Sequence, residues 1–394
     1  MSSYSSANDE YELDEPPELQ LNLRKLKDLA TETFHTTCTS AKRLTRGSWH
    51  EIFVLNFEEV AAISHEFLLR SGNCCIARFA RVKGHSAKEE SEIATIQYLK
   101  QHTSIPVPEI SYHNLDPENE VGAAFVLMER LPGRHLYKTW DELSFDHKEV
   151  ALSEIASVIV QFASLRFDKI GCLTESGIGP ILSPCTMSPR GPFHSTLDYL
   201  QSFVSPDSVQ SSELADLFRE IRNELAAFIQ QGTEACLLPP FTMIHADFDA
   251  QNMLFLDHPD GSGPRLTGLI DFEFAHTGPR YFLYEYPIFI QDVSWSQHLY
   301  AENAMLRAHF ISQIFNRLPN PEAQRVFITC INSKSYLLND FQGTFMTMQC
   351  SENTLIQSAL YSLKALKDGT GLAYSGRLDY EAEYYSEKGK PASP

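Results

Sequence analysis

Hydrophobic and polar residues in the first third of the chain follow patterns that predict strands with one helix among them. Ser48–Phe57 is rich in β-branched and aromatic residues, Asn73–Val82 has a second strand pattern, and a turn signal precedes each. Ala87–Thr103 changes to helical spacing, with three glutamates in its first turns. A last apolar strand, Ala123–Gly133, ends at a Pro-Gly pair. This order predicts a small α+β lobe.

After the Pro-Gly pair the pattern becomes mainly helical. Amphipathic spacing predicts helices over His147–Phe167 and Ser211–Gln231, and Tyr284–Lys367 is predicted to be helical again. Two short strands, Asn252–Leu256 and Arg265–Phe272, interrupt this pattern and are separated by the turn sequence DHPDGSGP. The second part of the chain therefore predicts a larger helical lobe that carries one hairpin.

The predicted domain boundaries follow these changes in pattern. Residues 1–20 are polar and acidic without an apolar core, which predicts a disordered tail and neither a secretory signal nor a transit peptide. The sheet-rich N-lobe covers residues 21–131 and the helical C-lobe covers residues 132–380. Residues 381–394 form a second loose tail in this prediction.

Composition narrows the classes of partner. The chain of 394 residues is long enough for two lobes with separate cores, and 43% hydrophobic residues is a globular value. A formal net charge of -19 argues against a nucleic-acid partner, because a phosphate backbone attracts a basic face. It does not argue against a nucleotide, whose phosphates can be met locally through a metal ion.

The lengths of the apolar runs and the spacing of the cysteines indicate the cellular compartment of the protein. The chain has no run of about 18 apolar residues, so no membrane span and no membrane partner are expected. Its eight cysteines include no CxxC pair, which argues against a zinc or disulfide framework. The prediction is a cytoplasmic protein with reduced thiols.

The strongest chemical signal lies in MIHADFDAQNMLF, residues 243–255, whose two apolar ends both predict buried strand. A turn between strands needs one or two polar residues, usually with glycine. This segment has no glycine and carries His245, Asp247, Asp249 and Asn252. The excess of polar side chains indicates a site rather than a simple connection.

The hairpin of the C-lobe brings one further residue to this site. Asp271 ends the second strand, so Asn252 and Asp271 are predicted at the same rim, where two oxygen ligands suit Mg²⁺. Asp247 is then left to orient an attacking hydroxyl and accept its proton, and His245 to hold the loop backbone. Turn residues beside a buried histidine are the alternative interpretation. A zinc site at His245 and Asp247 lacks a third ligand.

HADFDAQN followed by IDFEF resembles the catalytic loop and the metal-binding Asp of the aminoglycoside phosphotransferase and choline kinase family. Members of that family have protein-kinase-like folds and phosphorylate small molecules. The resemblance extends over about residues 44–366 and implies an α+β, two-lobed kinase-like fold that binds ATP and Mg²⁺. It implies Asp247 as the catalytic base and Asn252 with Asp271 as the Mg²⁺ ligands.

The resemblance also implies a nucleotide site in the N-lobe. VLMERLPG resembles the adenine hinge, with Met128 as gatekeeper and with Glu129 C=O and Leu131 N–H at the adenine edge. TRGSWHEIF resembles the nucleotide loop, although it has one glycine rather than several. Backbone cover of the phosphates is therefore expected from Gly47 and Ser48.

Two further departures from the family pattern affect the site. Arg78 stands where a strand lysine is expected, with Glu92 of the following helix as its implied partner and with Arg81 or Lys83 as alternatives. Arginine can hold phosphate through two donors, but it is not equivalent to lysine. The loop reads HAD where HGD is expected, and Ala246 is tolerable if its backbone is not left-handed.

Protein kinase activity is disfavoured, because no glycine follows Asp271-Phe272 and no A-P-E sequence follows later. The region after residue 280 resembles the family's substrate side, although core packing explains its aromatic residues as well. Glu285 and Asp292 are predicted to attract an amine, one candidate for the small hydroxylated substrate. The aromatic residues in question are Tyr281, Phe282, Tyr284, Tyr286 and Trp295.

The sequence thus predicts an ATP-dependent phosphotransferase that acts on a hydroxyl of a small molecule. The alternative is a non-catalytic pseudokinase that binds a nucleotide or serves as an interaction module. Arg78 is the residue on which the two predictions differ, because Asp247, Asn252 and Asp271 are all present. A helical scaffold without a nucleotide leaves the polar hairpin unexplained.

Overall fold

The computed structural model divides the chain into two units, Met1–Glu89 with Glu109–Arg130, and Glu90–Pro108 with Leu131–Pro394. The predicted lobes were divided after Leu131. Predicted tail residues 1–17 and 381–394 lie outside the described residues. The structure describes residues 18–59, 68, 70–81, 86–183, 186–231, 237–292, 296–332, 336–346 and 352–369.

Among the described residues, the first unit contains an antiparallel sheet of five strands with helix α1 packed beside it. The strand order is β1-β2-β3-β5-β4. A second helix, α2, has its first turn in this unit and continues in the second unit. The elements are α1 (Leu23–Phe34), β1 (Cys38–Arg46), β2 (His50–Phe57), β3 (Cys74–Ala80), α2 (Ser86–His102), β4 (Ile110–Asn114) and β5 (Phe125–Glu129).

The two faces of this sheet differ in what they pack against. Phe53 of β2 and Phe79 of β3 belong to the apolar core that the sheet forms with α1. Side chains alternate along a strand, and directly paired residues share a face. Ile52, Arg78 and Val126 are paired across the three central strands, so Arg78 lies on the face opposite α1.

The second unit is mainly helical, as the sequence predicts. The predicted helix from Tyr284 onwards begins only at Tyr300, after short 3-10 turns. The helices are α3 (Phe145–Ser164), α4 (Thr196–Gln201), α5 (Ser212–Gln231), α6 (Arg280–Leu283), α7 (Tyr300–Arg317), α8 (Pro321–Asn332), α9 (Tyr336–Met346) and α10 (Glu352–Asp368).

Short strands of the second unit build its small sheets. β12 lies between β13 and β6 in a three-stranded sheet, while β11 pairs with β14, β7 with β8 and β9 with β10. The predicted hairpin is confirmed by the β12–β13 pairing, which begins at Met253 opposite Leu269. The strands are β6 (Arg134–His135), β7 (Cys172–Thr174), β8 (Gly177–Gly179), β9 (Ile181–Ser183), β10 (Thr186–Arg190), β11 (Thr242–Ile244), β12 (Met253–Asp257), β13 (Pro264–Leu269) and β14 (His276–Gly278).

The chain after the predicted hinge is fastened to this hairpin. Gly133 has φ +122°, and a Cβ atom there would lie 2.7 Å from Thr267 Oγ1 and 2.8 Å from the carbonyl oxygen of Phe255. The Thr267 hydroxyl donates to Pro132 C=O at 2.5 Å. The space and the backbone conformation therefore both require glycine at position 133.

The sequence predicts no membrane-spanning helix and reduced cysteines, and the described residues bear on both predictions. Within the described ranges, no helix combines the length and the apolar character needed to cross a membrane. The described cysteines are buried, and none of them forms a disulfide: Cys38, Cys74, Cys75, Cys172 and Cys330.

Candidate active site

The loop between β11 and β12 presents Asp247, whose side chain is exposed. Its Oδ2 accepts hydrogen bonds from Asn252 Nδ2 at 2.8 Å and from Gln251 Nε2 at 3.2 Å. Asn252 Nδ2 also donates to Asp247 C=O at 2.9 Å. One side-chain amide thus closes the loop and fixes the direction of a solvent-facing carboxylate.

The hydrogen bonds of Asn252 determine which of its atoms is left for a metal. The carbonyl oxygen of Asp247 can only accept, so the amide nitrogen of Asn252 must face it. Among the described residues, none donates a hydrogen bond to Asn252 Oδ1. A neutral oxygen donor therefore remains on a buried residue, and Mg²⁺ prefers ligands of this kind.

Asp271 follows β13 and adopts φ +67°, a left-handed conformation that Asp tolerates better than most residues. The preceding Ile270 donates its N–H to Asn252 C=O at 3.0 Å. This bond keeps the Asp271 carboxyl and the Asn252 amide at the same end of the β12–β13 hairpin. Their oxygen donor set fits a hard divalent cation.

His245 is buried and contacts the backbone next to Asp271. Its Nε2 lies 3.0 Å from Ile270 C=O, and since a carbonyl only accepts, this nitrogen carries the proton. Burial lowers the pKa of His245, while the charges of Asp271 and Asp247 act in the opposite direction. His245 is therefore a neutral side chain that ties its loop to the backbone before Asp271, whereas the sequence predicts a contact with the backbone of the loop itself.

Ala246 was predicted to be tolerable in this loop if its backbone is not left-handed, and the structure contradicts that condition. This residue has φ +68°, so the HAD loop adopts the left-handed conformation for which glycine is the usual choice. Such a conformation costs about 1–2 kcal/mol for a residue with a Cβ atom. Hydrogen bonds hold the following turn, from Asp249 N–H to Asp247 C=O and from Asn252 N–H to Asp249 C=O, both at 2.9 Å.

Replacing Ala246 with glycine is expected to stabilise the protein. The Ala246→Gly variant removes the Cβ strain, and the urea unfolding midpoint should rise by the equivalent of roughly 0.5–1 kcal/mol. Ala308→Gly is the matched control, because Ala308 is exposed within α7. That variant should lose about 1 kcal/mol. A loss of equal size at both positions would show that Ala246 is not strained.

Asp249, the second acid of the loop, is less exposed than Asp247 and is bound to the backbone of the loop. Burial raises the pKa of Asp249, and the charge of Asp247 raises it further. Its Oδ1 also accepts the N–H of Ala250 at 2.6 Å, which caps the short turn before β12. Asp249 therefore shapes the loop, and Asp247 is the exposed carboxylate.

The predicted nucleotide loop is a tight turn between β1 and β2. Gly47 and Ser48 are exposed, and Gly47 N–H donates to His50 C=O at 2.8 Å. Arg81 donates to Gly47 C=O and lies 3.9 Å from the buried Glu51 carboxylate. Arg81 therefore supports the loop. Lys83, the other alternative to Arg78, lies outside the described residues.

The structure gives the positions and contacts of the other residues predicted to bind the nucleotide. Their roles in nucleotide binding stay predictions. Met128 is buried and pairs with Ile76, on the sheet face that also carries Arg78. The Glu129 carboxylate accepts from Glu109 N–H at 3.2 Å and lies 3.4 Å from Arg70.

Leu131 is partly buried at the start of the second unit. Glu92 Oε1 accepts the N–H of Phe272 at 3.2 Å. That contact ties helix α2 to the residue after Asp271. The sequence did not predict it, because 180 residues separate the two partners along the chain.

The predicted attraction of an amine by Asp292 is wrong. Asp292 is 2% exposed, and its two carboxylate oxygens each lie 3.0 Å from a nitrogen of Arg307. Its charge is therefore neutralised inside the protein. Glu285 is partly exposed and accepts from Asn339 Nδ2 at 2.5 Å.

Most of the aromatic residues predicted to line a substrate pocket belong to the core instead. Tyr281, Tyr284 and Tyr286 are buried, and Tyr281 donates to Gln342 Oε1 at 3.4 Å. Phe282 is partly exposed, and Trp295 lies outside the described residues. The core-packing interpretation therefore explains the three tyrosines.

A sheet-rich unit, a helical unit and a loop that presents Asp247 beside Asn252 and Asp271 define a kinase-like phosphotransferase. The chain belongs to the Phosphotransferase enzyme family, whose family model matches residues 61–282, more than half of its 394 residues. The family resemblance predicted from the two motifs is thereby confirmed.

Solved structures of aminoglycoside phosphotransferases share this fold. The complex of APH(2")-IIa with streptomycin and ATP has a TM-score of 0.51 at 13% identity, covering 90% of this chain and 100% of that one. ADP-bound APH(2'')-Ib has a TM-score of 0.51 at 12% identity, covering 88% and 99%. These similarities confirm the predicted fold class.

Curated relatives match shorter parts of the chain. A subtelomeric hrmA-associated cluster protein of Aspergillus fumigatus is 25% identical over 197 residues, which is 42% of this chain and 36% of that protein. The mitochondrial altered inheritance of mitochondria protein 9 of Candida tropicalis is 36% identical over 94 residues, 22% of this chain and 15% of that protein. The match thus spans about a third of the first relative and less of the second.

Proposed function

We propose that the protein transfers the γ-phosphoryl group of ATP to a hydroxyl of a small molecule. The observation that carries this proposal is the exposed Asp247 carboxylate, which the Asn252 amide holds in place beside Asp271 at the end of one hairpin. Turn formation does not require this arrangement, whereas phosphoryl transfer needs a fixed proton acceptor next to oxygen ligands.

In the proposed reaction Asp247 orients the acceptor hydroxyl and takes its proton. The hydroxyl oxygen forms a bond to the γ-phosphorus, while the bond from that phosphorus to the β,γ-bridging oxygen breaks and ADP leaves with the electron pair. Asp247 is exposed and can then release the proton to water. His245 and Asn252 keep the loop in position throughout.

The proposed ligands of Mg²⁺ are Asn252 Oδ1 and the Asp271 carboxylate. Once bound, the ion would neutralise charge on the nucleotide phosphates. We propose that Arg78 with the backbone of Gly47 and Ser48 binds those phosphates. Met128, Glu129 and Leu131 receive the adenine in this proposal, and Glu92 supports Arg78.

The acceptor in this proposal is a small hydroxylated molecule. The APH(2")-IIa complex contains streptomycin, a ligand of that protein. If the acceptor here is an amine, Glu285 is the remaining predicted contact, since Arg307 neutralises Asp292. We propose the cytosol as the compartment, because its reducing conditions would keep the buried cysteines as thiols.

Nucleotide binding is expected to raise the melting temperature of the protein when ATP and Mg²⁺ are both present. At about 100 times Kd the stabilisation amounts to about 2.7 kcal/mol. The shift should disappear in Asp271→Asn, which keeps a residue tolerated at φ +67° but removes the charged ligand. Asp257→Asn, at an exposed position of the same hairpin, should keep the full shift.

An undiminished shift in Asp271→Asn would contradict the metal assignment, and no shift in the wild type would contradict nucleotide binding. Consumption of ATP should then be measured against a panel of hydroxylated amines and sugars, with the metal omitted as a control. The pseudokinase alternative expects binding without consumption for every member of the panel.

A further inference from the structure

A buried histidine contacts the arginine that replaces the expected strand lysine. Arg78 Nη2 lies 3.0 Å from His50 Nδ1, and both side chains are buried in the first unit. A guanidinium has no acceptor, so Nδ1 must receive this hydrogen bond through its lone pair. His50 is therefore neutral and carries its proton on Nε2.

The second nitrogen of the same ring meets helix α2. His50 Nε2 lies 3.0 Å from Glu89 Oε1, an acceptor that fits the proton which the first contact places there. Lys88 lies 3.2 Å from the same oxygen and 3.4 Å from Nε2. Together these contacts form a relay from Arg78 through His50 to Glu89.

The ionisation of these groups agrees with the geometry. Burial, followed by the charge of Arg78, lowers the pKa of His50 to about 4, so the ring is neutral at physiological pH. Burial alone would raise the pKa of Glu89, but the hydrogen bond from His50 and nearby positive charges lower it overall. Glu89 is therefore a charged acceptor for a neutral imidazole.

The position of His50 in the chain adds a third contact. It is the first residue of β2, and its carbonyl oxygen accepts the N–H of Gly47 at 2.8 Å, which closes the predicted nucleotide loop. Its side chain reaches Arg78 of β3 and Glu89 of α2. One residue thus connects the loop, the strand arginine and the first turn of the helix.

We propose that His50 is a positioning residue that fixes the Arg78 guanidinium for binding nucleotide phosphates. This inference rests on the proposed function, in which Arg78 binds those phosphates. A long arginine side chain loses rotamer entropy when it is fixed on a ligand, and an anchored Nη2 restricts that freedom beforehand.

His50→Leu is expected to raise the ATP dissociation constant about tenfold, the affinity equivalent of one hydrogen bond. KM for ATP should rise by more than kcat falls, because the phosphate contact already exists before transfer. His50→Asn should recover part of the affinity, since Asn Oδ1, like His Nδ1, is bonded to Cγ and can accept from Arg78. His113→Leu, at an exposed position of the same sheet, should bind ATP like the wild type.

A double-mutant cycle separates this inference from the function on which it rests. If His50 acts through Arg78, His50→Leu should change ATP affinity less than twofold in an Arg78→Ala background. The same tenfold loss in both backgrounds, or no loss in His50→Leu while Arg78→Ala binds ATP poorly, would overturn the relay but leave phosphotransfer intact. Wild-type ATP affinity in Arg78→Ala would remove both the relay and the phosphate role of Arg78, while the Asp271→Asn test of nucleotide binding stands separately.

Melting temperatures without nucleotide show whether each variant folds. If His50→Leu does not fold, the comparison of His50→Asn with Arg78→Ala still decides the question. The relay then requires His50→Asn to bind ATP more tightly than Arg78→Ala, and equal affinity of these two variants would contradict it.

Discussion

Asp247→Asn is expected to lower turnover by about 10²–10⁴-fold, the usual contribution of a positioned acid or base, and to leave ATP affinity near normal. The new amide has the shape of the carboxylate, and its oxygen can still accept from Asn252 Nδ2. It cannot take a proton from the acceptor hydroxyl at neutral pH. The loop should therefore stay in place while the chemical step fails.

The two measurements that test this are kcat with a productive acceptor and the ATP dissociation constant. Asp249→Asn is the matched control, because asparagine caps a short turn as well as aspartate does, and most turnover should remain. A greater loss in Asp249→Asn than in Asp247→Asn would reverse the assignment of the base. Equal rates in Asp247→Asn and the wild type would favour the non-catalytic alternative.

Arg307→Ala is expected to destabilise the protein by about 3–5 kcal/mol, because it leaves the buried Asp292 charge without its partner. Arg307 and Asp292 are 1% and 2% exposed, so water cannot replace the lost contacts. Arg307 also donates to Ile290 C=O at 2.6 Å, and that contact is lost as well. The effect is therefore much larger than for a surface ion pair.

Urea unfolding followed by tryptophan fluorescence measures this loss. Arg219→Ala removes a partner from an exposed pair with Asp216 and should change stability by less than about 1 kcal/mol. Combining Asp292→Asn with Arg307→Met removes both buried charges, so the double variant should be more stable than Arg307→Ala. Equal losses in Arg219→Ala and Arg307→Ala would show that burial adds nothing to the pair.

The sequence predicted the β12–β13 hairpin of the candidate site well, because the signals for this hairpin are local. The turn sequence between Asp257 and Pro264 and the apolar strands beside it determine which residues pair. Asn252 and Asp271 flank that hairpin directly, so their proximity follows from strand pairing. The long helices of the second unit could also be predicted from the sequence, because their apolar spacing extends over several turns.

Contacts between residues that are far apart in the sequence could not be predicted from such local signals. β11 pairs with β14 rather than with the hairpin that follows it, and no local pattern indicates this choice. Arg307 neutralises Asp292 from another element, so the sequence left Asp292 as a free acid. The left-handed backbone of Ala246 was missed because alanine is not the residue that signals such a conformation.

The sequence also contains signals for helix α1 that the prediction did not include. Helix α1 begins after Asn22, whose side chain accepts from Lys25 N–H at 3.2 Å, and it buries Leu26, Ala30 and Phe34 at intervals of one turn. Both the cap and the spacing can be seen in the sequence. The sequence prediction nevertheless contains no helix before the first strand of the N-lobe.

Gly133 also limits how this chain can diverge during evolution. The carbonyl of Phe255 and the hydroxyl of Thr267 occupy the volume that any side chain would need, so drift at position 133 requires compensating changes in two strands at once. Tyr137, four residues further on, is 54% exposed and has no such constraint. A duplicated copy that adapts to a new acceptor should therefore vary at positions such as Tyr137 long before glycine is lost from position 133.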